Sequence, residues 1–514
     1  MKNKIIYLAI LAAGFAACEP EFENEVTDGS YSAGDANFTT YVAVGNSLTA
    51  GYMDGTVSRV GQSYSYPSIL AKQFALVGGG AFTQPSYEED VNNLGGIMGL
   101  PGFNTRLVID ASAGGPEPIA GASTITLTPQ AKAYNNMGVP GAKSYHLLAP
   151  GYGNVAGVAL GQANPYFVRH ATSPTATVLG DAMSLNPTFF TNWIGSNDVL
   201  LYAIAGGTGV DQDGNINPAT YAQNDITDPN VFASAYNTIV TTLTSGGAKG
   251  VVATIPNVTS IPYFTTVPYN PLTTAALGGE AVVTQLNTEL YGPMKQVLTL
   301  FGQGGRLNLL SATEPNPVII VDETLPNLSV QLTGAFTAGG YPADQAAFMG
   351  ALYGQARQAT ANDLILLPAS SLLGKNAPGV PAPFNVYGVT YPLQDGSVLI
   401  PTEISAINTA TTRFNVTIRQ VAASKGVPVA DMNAILNQLV DGLRVEDGQI
   451  YTANYFSTAS LSTVLFSLDG VHPNARGYAL IANEILKVIN TTYNAKLPMV
   501  SPAYYPGATV LPTN

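Results

Sequence analysis

A chain of 514 residues with a net charge of −13 is long enough for one large domain or two, and it lacks the basic surplus that nucleic acid demands. Its single cysteine excludes an intramolecular disulfide. Charged side chains are only 10% of the total while Gly and Pro are plentiful, a composition that suits a large exported globular protein with long uncharged loops.

Lys2 and Lys4 precede an apolar run from Ile5 to Phe15, and Ala16 and Ala17 then lead into Cys18, the lone cysteine. Residues 1–17 therefore read as a signal peptide, with an apolar run too short to cross a bilayer. The stretch FAAC resembles a bacterial lipobox, which implies lipidation of Cys18 and an anchor on the membrane without a spanning segment. The acidic, aperiodic EPEFENEV that follows makes residues 18–36 a flexible tether. Such an acidic start resembles the export signal of surface lipoproteins in Gram-negative bacteria and implies the outer membrane.

From residue 37 to 496, segments that read as strands alternate with helical patterns. The strands are Tyr41 to Val44, Thr188 to Ile194, Val251 to Ile255, Leu364 to Leu367 and Val427 to Ala430, and the helices include Val231 to Thr244, Thr402 to Ser424 and Asn474 to Thr492. The alternation predicts an α/β fold, a parallel sheet with helices on both faces. Insertions rich in Gly, Pro and Thr fall near 77–130, 145–180 and 265–360. The proline-rich 497–514 reads as a surface tail.

Ser47 follows the first strand in YVAVGNSLTAGY, where ligands of such sheets bind. Thr49 replaces the second glycine of a G-x-S-x-G elbow, so that template fails. A serine nucleophile needs a base, and only His146, His170 and His472 are present. His472, in LDGVHPNARGY, follows Asp469 by three residues; a tight turn lets Asp469 accept the Nδ1 proton and leaves Nε2 for Ser47. Donors for a developing oxyanion are offered by Asn197 in WIGSNDVL and by Gly141 in NNMGVPGAK, with Gly138 as the competing glycine. Asp198 is the expected cap of the helix that follows, which leaves Asn197 free. Trp193 is expected in the core beneath the sheet edge. His146 and His170 lack metal-ligand spacing, and DQDGNINP (211–218) reads as an Asp-Gly turn in preference to a calcium loop.

In order along the chain, GNSLTAGY, GVPGA, GSND and DGVH resemble the four blocks of the SGNH/GDSL hydrolase family. The resemblance implies a flavodoxin-like three-layer α/β/α sandwich. It also implies Ser47 as nucleophile with Asp469 and His472, and an oxyanion hole of the Ser47 and Gly141 N–H groups with the Asn197 side chain. Asn46 stands where the family usually has aspartate. The implied activity is an extracytoplasmic serine esterase or lipase acting on a small-molecule, lipid or acylated-carbohydrate ester, without metal or organic cofactor. The competing expectation is a non-catalytic surface lipoprotein that binds glycan or another ligand; four motifs in catalytic order weigh against it.

Overall fold

The run YVAVG, β-branched and aromatic, forms β1 (Tyr41–Gly45), and every residue of it is buried. Four further strands align parallel with it: β2 (Asn136–Gly138), β3 (Phe189–Trp193), β4 (Lys249–Ala253) and β5 (Val429–Ala430). Their spatial order is β5-β4-β3-β1-β2, the flavodoxin-like sequence 2-1-3-4-5, whose switch point lies between β1 and β3. The computed structural model describes residues 31–510 except 86–88, 111–114, 446–447, 456 and 458–462. The signal segment, Cys18 and most of the tether thus lie outside the described residues.

Alternate side chains of β1 enter different cores, as the period of two requires. Val42 and Val44 pack with Phe190 and Val252 against one helical layer, whereas Tyr41 and Ala43 pack with Phe189 and Val251 against the other. Seven helices matter for the site: α1 (Ser47–Ala50), α2 (Tyr66–Ala75), α3 (Asn197–Ile204), α4 (Pro229–Thr244), α5 (Pro401–Lys425), α6 (Met432–Asp441) and α7 (Ala475–Tyr493). Helices α4 and α5 cover the first face, where Phe232 stacks on Phe414 with centroids 4.3 Å apart. Helices α2 and α7 cover the second, completing a three-layer α/β/α sandwich.

Local chemistry sets the helix ends. Asp228 accepts the N–H groups of Asn230 and Val231, and Pro229 occupies the first turn of α4. Gly426 closes α5 in the left-handed conformation at φ +62°. Asn474 begins α7 by accepting from Gly477 N.

One strand expectation needs correction, and three segment readings gain detail. Leu364–Ile365 pairs antiparallel with Val398–Leu399, outside the parallel sheet; a 3-10 turn carrying Pro368 ends it after two residues. The insertion near 265–360 is part of a longer unit with its own core, which runs from Leu272 to Ile400. The last tether residues are fixed: Ser32 bridges Lys496, and Asp35 N–H donates to Tyr493 O at 2.7 Å. The tail from 497 is pinned along α7, with Leu497 buried and the Val500 N–H on Asn483 Oδ1 at 2.9 Å.

Candidate active site

Gly45 ends β1 because the chain must turn at once into α1: a Cβ there would lie 2.1 Å from Thr49 Oγ1. Asn46 then caps α1, its Oδ1 accepting the Leu48 N–H at 3.0 Å. The cap uses only the oxygen, a role that asparagine fills as well as aspartate. Ser47 is thereby the first residue of α1 and is buried at 6% exposure, with a backbone N–H that has no acceptor within the helix.

His472 comes from the loop before α7. Its Nε2 lies 2.8 Å from Ser47 Oγ, and its Nδ1 lies 3.0 Å from Asp469 Oδ2. Asp469 Oδ1 accepts the N–H groups of Val471 and His472 at 2.9 and 2.8 Å, and Oδ2 also accepts the Gly55 N–H at 3.1 Å. Burial acts to raise the Asp469 pKa, but the His472 charge and these donors outweigh it and hold the carboxyl below its ordinary value. An ionised Asp469 fixes the imidazole with the proton on Nδ1, which leaves Nε2 to accept the serine proton.

Asn197 opens α3 directly after β3. One hydrogen of its amide goes to Ala142 O at 3.0 Å, so a second remains for a ligand. Gly141 adopts φ +78° and borders the same cleft as Ser47, Asn197 and His472, and its N–H has no partner among the described residues. Gly138 sits inside β2, where its N–H is spent on Asn136 Oδ1 and a Cβ would lie 2.2 Å from Ala50 N. Gly141 is therefore the glycine at the site.

Asp198 does not cap α3. Ser196 holds that position without a side-chain bond, and the Asp198 carboxylate instead accepts the Ser144 N–H at 2.8 Å and its hydroxyl at 2.7 Å. This carboxylate and the Asn197–Ala142 bond join the two donor loops to each other. Trp193 is buried at the end of the central strand, not under an edge, with Nε1 donating to Thr254 O. His146 is kept neutral at a pKa of about 3, by burial first and the Lys143 charge second. His170 is buried beside Tyr134 and Phe167. Among the described residues the one trio spaced to hold a metal is Glu323, Asp395 and Glu403, which includes neither histidine.

Sequence reading missed the turn after α1. Asp54, at φ +54°, accepts the Leu468 N–H on Oδ1 at 3.0 Å, and its own N–H donates to Ser467 Oγ at 3.0 Å. The Tyr52 ring lies 4.5 Å from the His472 ring. This turn grips the 467–472 loop from the serine side; the Asp-Gly pair at 54–55 marked a turn, but nothing in it named a partner more than 400 positions away. Burial, reinforced by Asp469, raises the Asp54 pKa to about 7. A carboxyl whose folded pKa exceeds its unfolded value stabilises most below the unfolded value and loses that contribution as pH rises through the folded one. Asp54→Asn keeps the acceptor and tolerates the left-handed backbone. It is expected to stabilise the fold at pH 8 by on the order of 4 kcal/mol and by nearly nothing at pH 4, as read by denaturant unfolding.

Two cavities meet at Ser47. One is almost wholly apolar, and Trp193, Leu200, Met432, Leu439 and Leu480 are among its walls. The other is a wide cleft bordered by Tyr52, Tyr145, Tyr152, Tyr166, Tyr221 and Tyr263, with Gln162, Asn164 and Gln223. Comparison with family models, with curated proteins and with solved structures finds no match for the chain.

Proposed function

We propose that the chain is a serine esterase of the SGNH/GDSL type, exported and anchored at the bacterial outer membrane through a lipid on Cys18. The carrying observation is the unbroken line from Asp469 through His472 to Ser47, with contacts of 3.0 and 2.8 Å. In this reading Ser47 Oγ attacks the ester carbonyl while its proton passes to His472 Nε2. The oxyanion is received by the Ser47 and Gly141 N–H groups and the Asn197 amide. The C–O bond to the alcohol breaks, and the alcohol departs with the proton held by His472. Water, deprotonated by His472, then releases the acid from Ser47 and restores the hydroxyl. The chemistry draws on no group beyond these side chains and backbone donors.

A fluorophosphonate probe tests this directly. Covalent attachment at Ser47, located by peptide mass, is expected in the wild-type protein and absent from Ser47→Ala; an unlabelled wild type that binds glycan tightly would favour the non-catalytic reading. Asn197→Ala should lower kcat by about a hundredfold to a thousandfold with KM little changed, because the amide serves charge that appears only in the transition state. Steady-state kinetics on a short-chain aryl ester measure it, and wild-type turnover in the variant would remove Asn197 from the hole.

A further inference from the structure

We infer that the apolar cavity beside Ser47 is the seat of the substrate's acyl chain, and that the natural substrates are esters of chains longer than acetyl with a polar alcohol. The inference rests on the esterase reading for its chemistry, but the cavity is defined independently of it.

Helix α6 carries Met432, Ile435, Leu436 and Leu439 at helical spacing, and together with Leu465 and Ile481 these side chains line a cavity of about 100 Å³. Its polar members cluster where it meets the nucleophile: Asn46, Ser47, Ser196, Asn197 and His472. Ile435 and Ile481 are half-buried, on separate helices, and face this space. A polar alcohol entering here would lose its water with no hydrogen-bond partner beyond the mouth. A hydrocarbon chain gains instead with each methylene that it buries. The second cavity is far more polar, with six tyrosines and Gln162, Asn164 and Gln223 among the residues that border it beside apolar ones. It therefore suits the alcohol, in particular one with ring faces that stack on tyrosine. An ester bridging Ser47 places its two halves in unlike surroundings, and only one assignment leaves neither half mismatched.

Two measurements test the inference. On para-nitrophenyl esters from acetate to hexanoate, kcat/KM should climb about fourfold per methylene, the gain expected for one buried CH2. Ile435→Phe and Ile481→Phe should each lower the hexanoate-to-acetate ratio of kcat/KM at least tenfold. Trp193, the only tryptophan, borders the cavity, so it reports occupancy without catalysis. Decanoate added to Ser47→Ala should change its fluorescence saturably, acetate should not, and Ile435→Phe should weaken the response at least tenfold.

A flat or falling chain-length profile in an enzyme that hydrolyses acetate esters overturns the inference, as does a decanoate titration without response. A gain found with hexyl acetate but not with hexanoate esters also overturns it, by giving the cavity to the alcohol. Saturable decanoate binding without ester turnover or probe labelling would leave the acyl site standing and remove the esterase reading, so the two failures are distinct.

Discussion

Ser47→Ala is expected to lower kcat on para-nitrophenyl butyrate by about a million-fold while the protein stays folded. The substitution removes a single oxygen from the first residue of α1, a position whose backbone is set by the Asn46 cap and by Gly45, not by the hydroxyl. Alanine suits a helical start, so unfolding free energy should stay within about 1 kcal/mol of wild type. What disappears is the group held 2.8 Å from His472 Nε2 and positioned at the junction of the two cavities. The oxyanion donors remain, so a small residual rate above solution hydrolysis is also expected. Turnover near the wild-type level would mean that another group attacks the ester.

The second large effect is that of Asp469→Asn, about ten-thousandfold in kcat. The carboxylate accepts at both oxygens: Oδ1 takes the Val471 and His472 N–H groups, and Oδ2 takes the Gly55 N–H and the imidazole Nδ1 proton. An amide placed here must turn its NH2 toward one of these pairs. If it faces the imidazole, it donates to Nδ1, moves the ring proton to Nε2 and leaves Ser47 without a base. If it faces the other way, it opposes two backbone donors and disturbs the 469–472 turn. The first orientation removes the base and opposes one backbone donor, the Gly55 N–H, whereas the second keeps the amide oxygen on Nδ1 and loses activity by displacing the ring, at a larger cost in stability. Single-turnover rates together with thermal unfolding separate them, and wild-type rates in Asp469→Asn would show that His472 is oriented by something else.

Much of this arrangement was legible from the chain because its strongest signals are local. The runs at Tyr41, Thr188 and Val251 are buried on both faces and read as continuous apolar strands. Helices α4, α5 and α7 carry clear caps and periodicity, and their expected bounds agree with the observed ones to within two residues. Ser47, Asp469, His472 and Asn197 stand next to strand ends and turns, where short motifs suffice to place them. Strand β2 was not legible as a strand, since three residues, Asn136–Gly138, carry no period; its pairing with β1 supplies what its sequence lacks. The stripe on α6 could be read as amphipathic, yet the same spacing serves a filled core, and only the fold reveals an unfilled space beside it. The grip of Asp54 on Leu468 depends wholly on distant segments meeting, and so it was invisible.

The fixing of Ser32 and Asp35 has a bearing on where the cleft at Ser47 points. Ser32 bridges Lys496, just past the end of α7, and the Lys249 ammonium at the start of β4 reaches Asp35 O at 2.5 Å. Both contacts gather at the amino ends of the parallel strands, whereas Ser47 and Asn197 follow their carboxyl ends. A molecule moored by a lipid on Cys18 would accordingly sit with its catalytic opening turned away from its own bilayer. The dozen or so residues between anchor and sandwich reach at most about 45 Å, a short leash. Esters delivered from the surrounding medium or from a facing surface would meet Ser47 more readily than lipids of the leaflet that holds the protein.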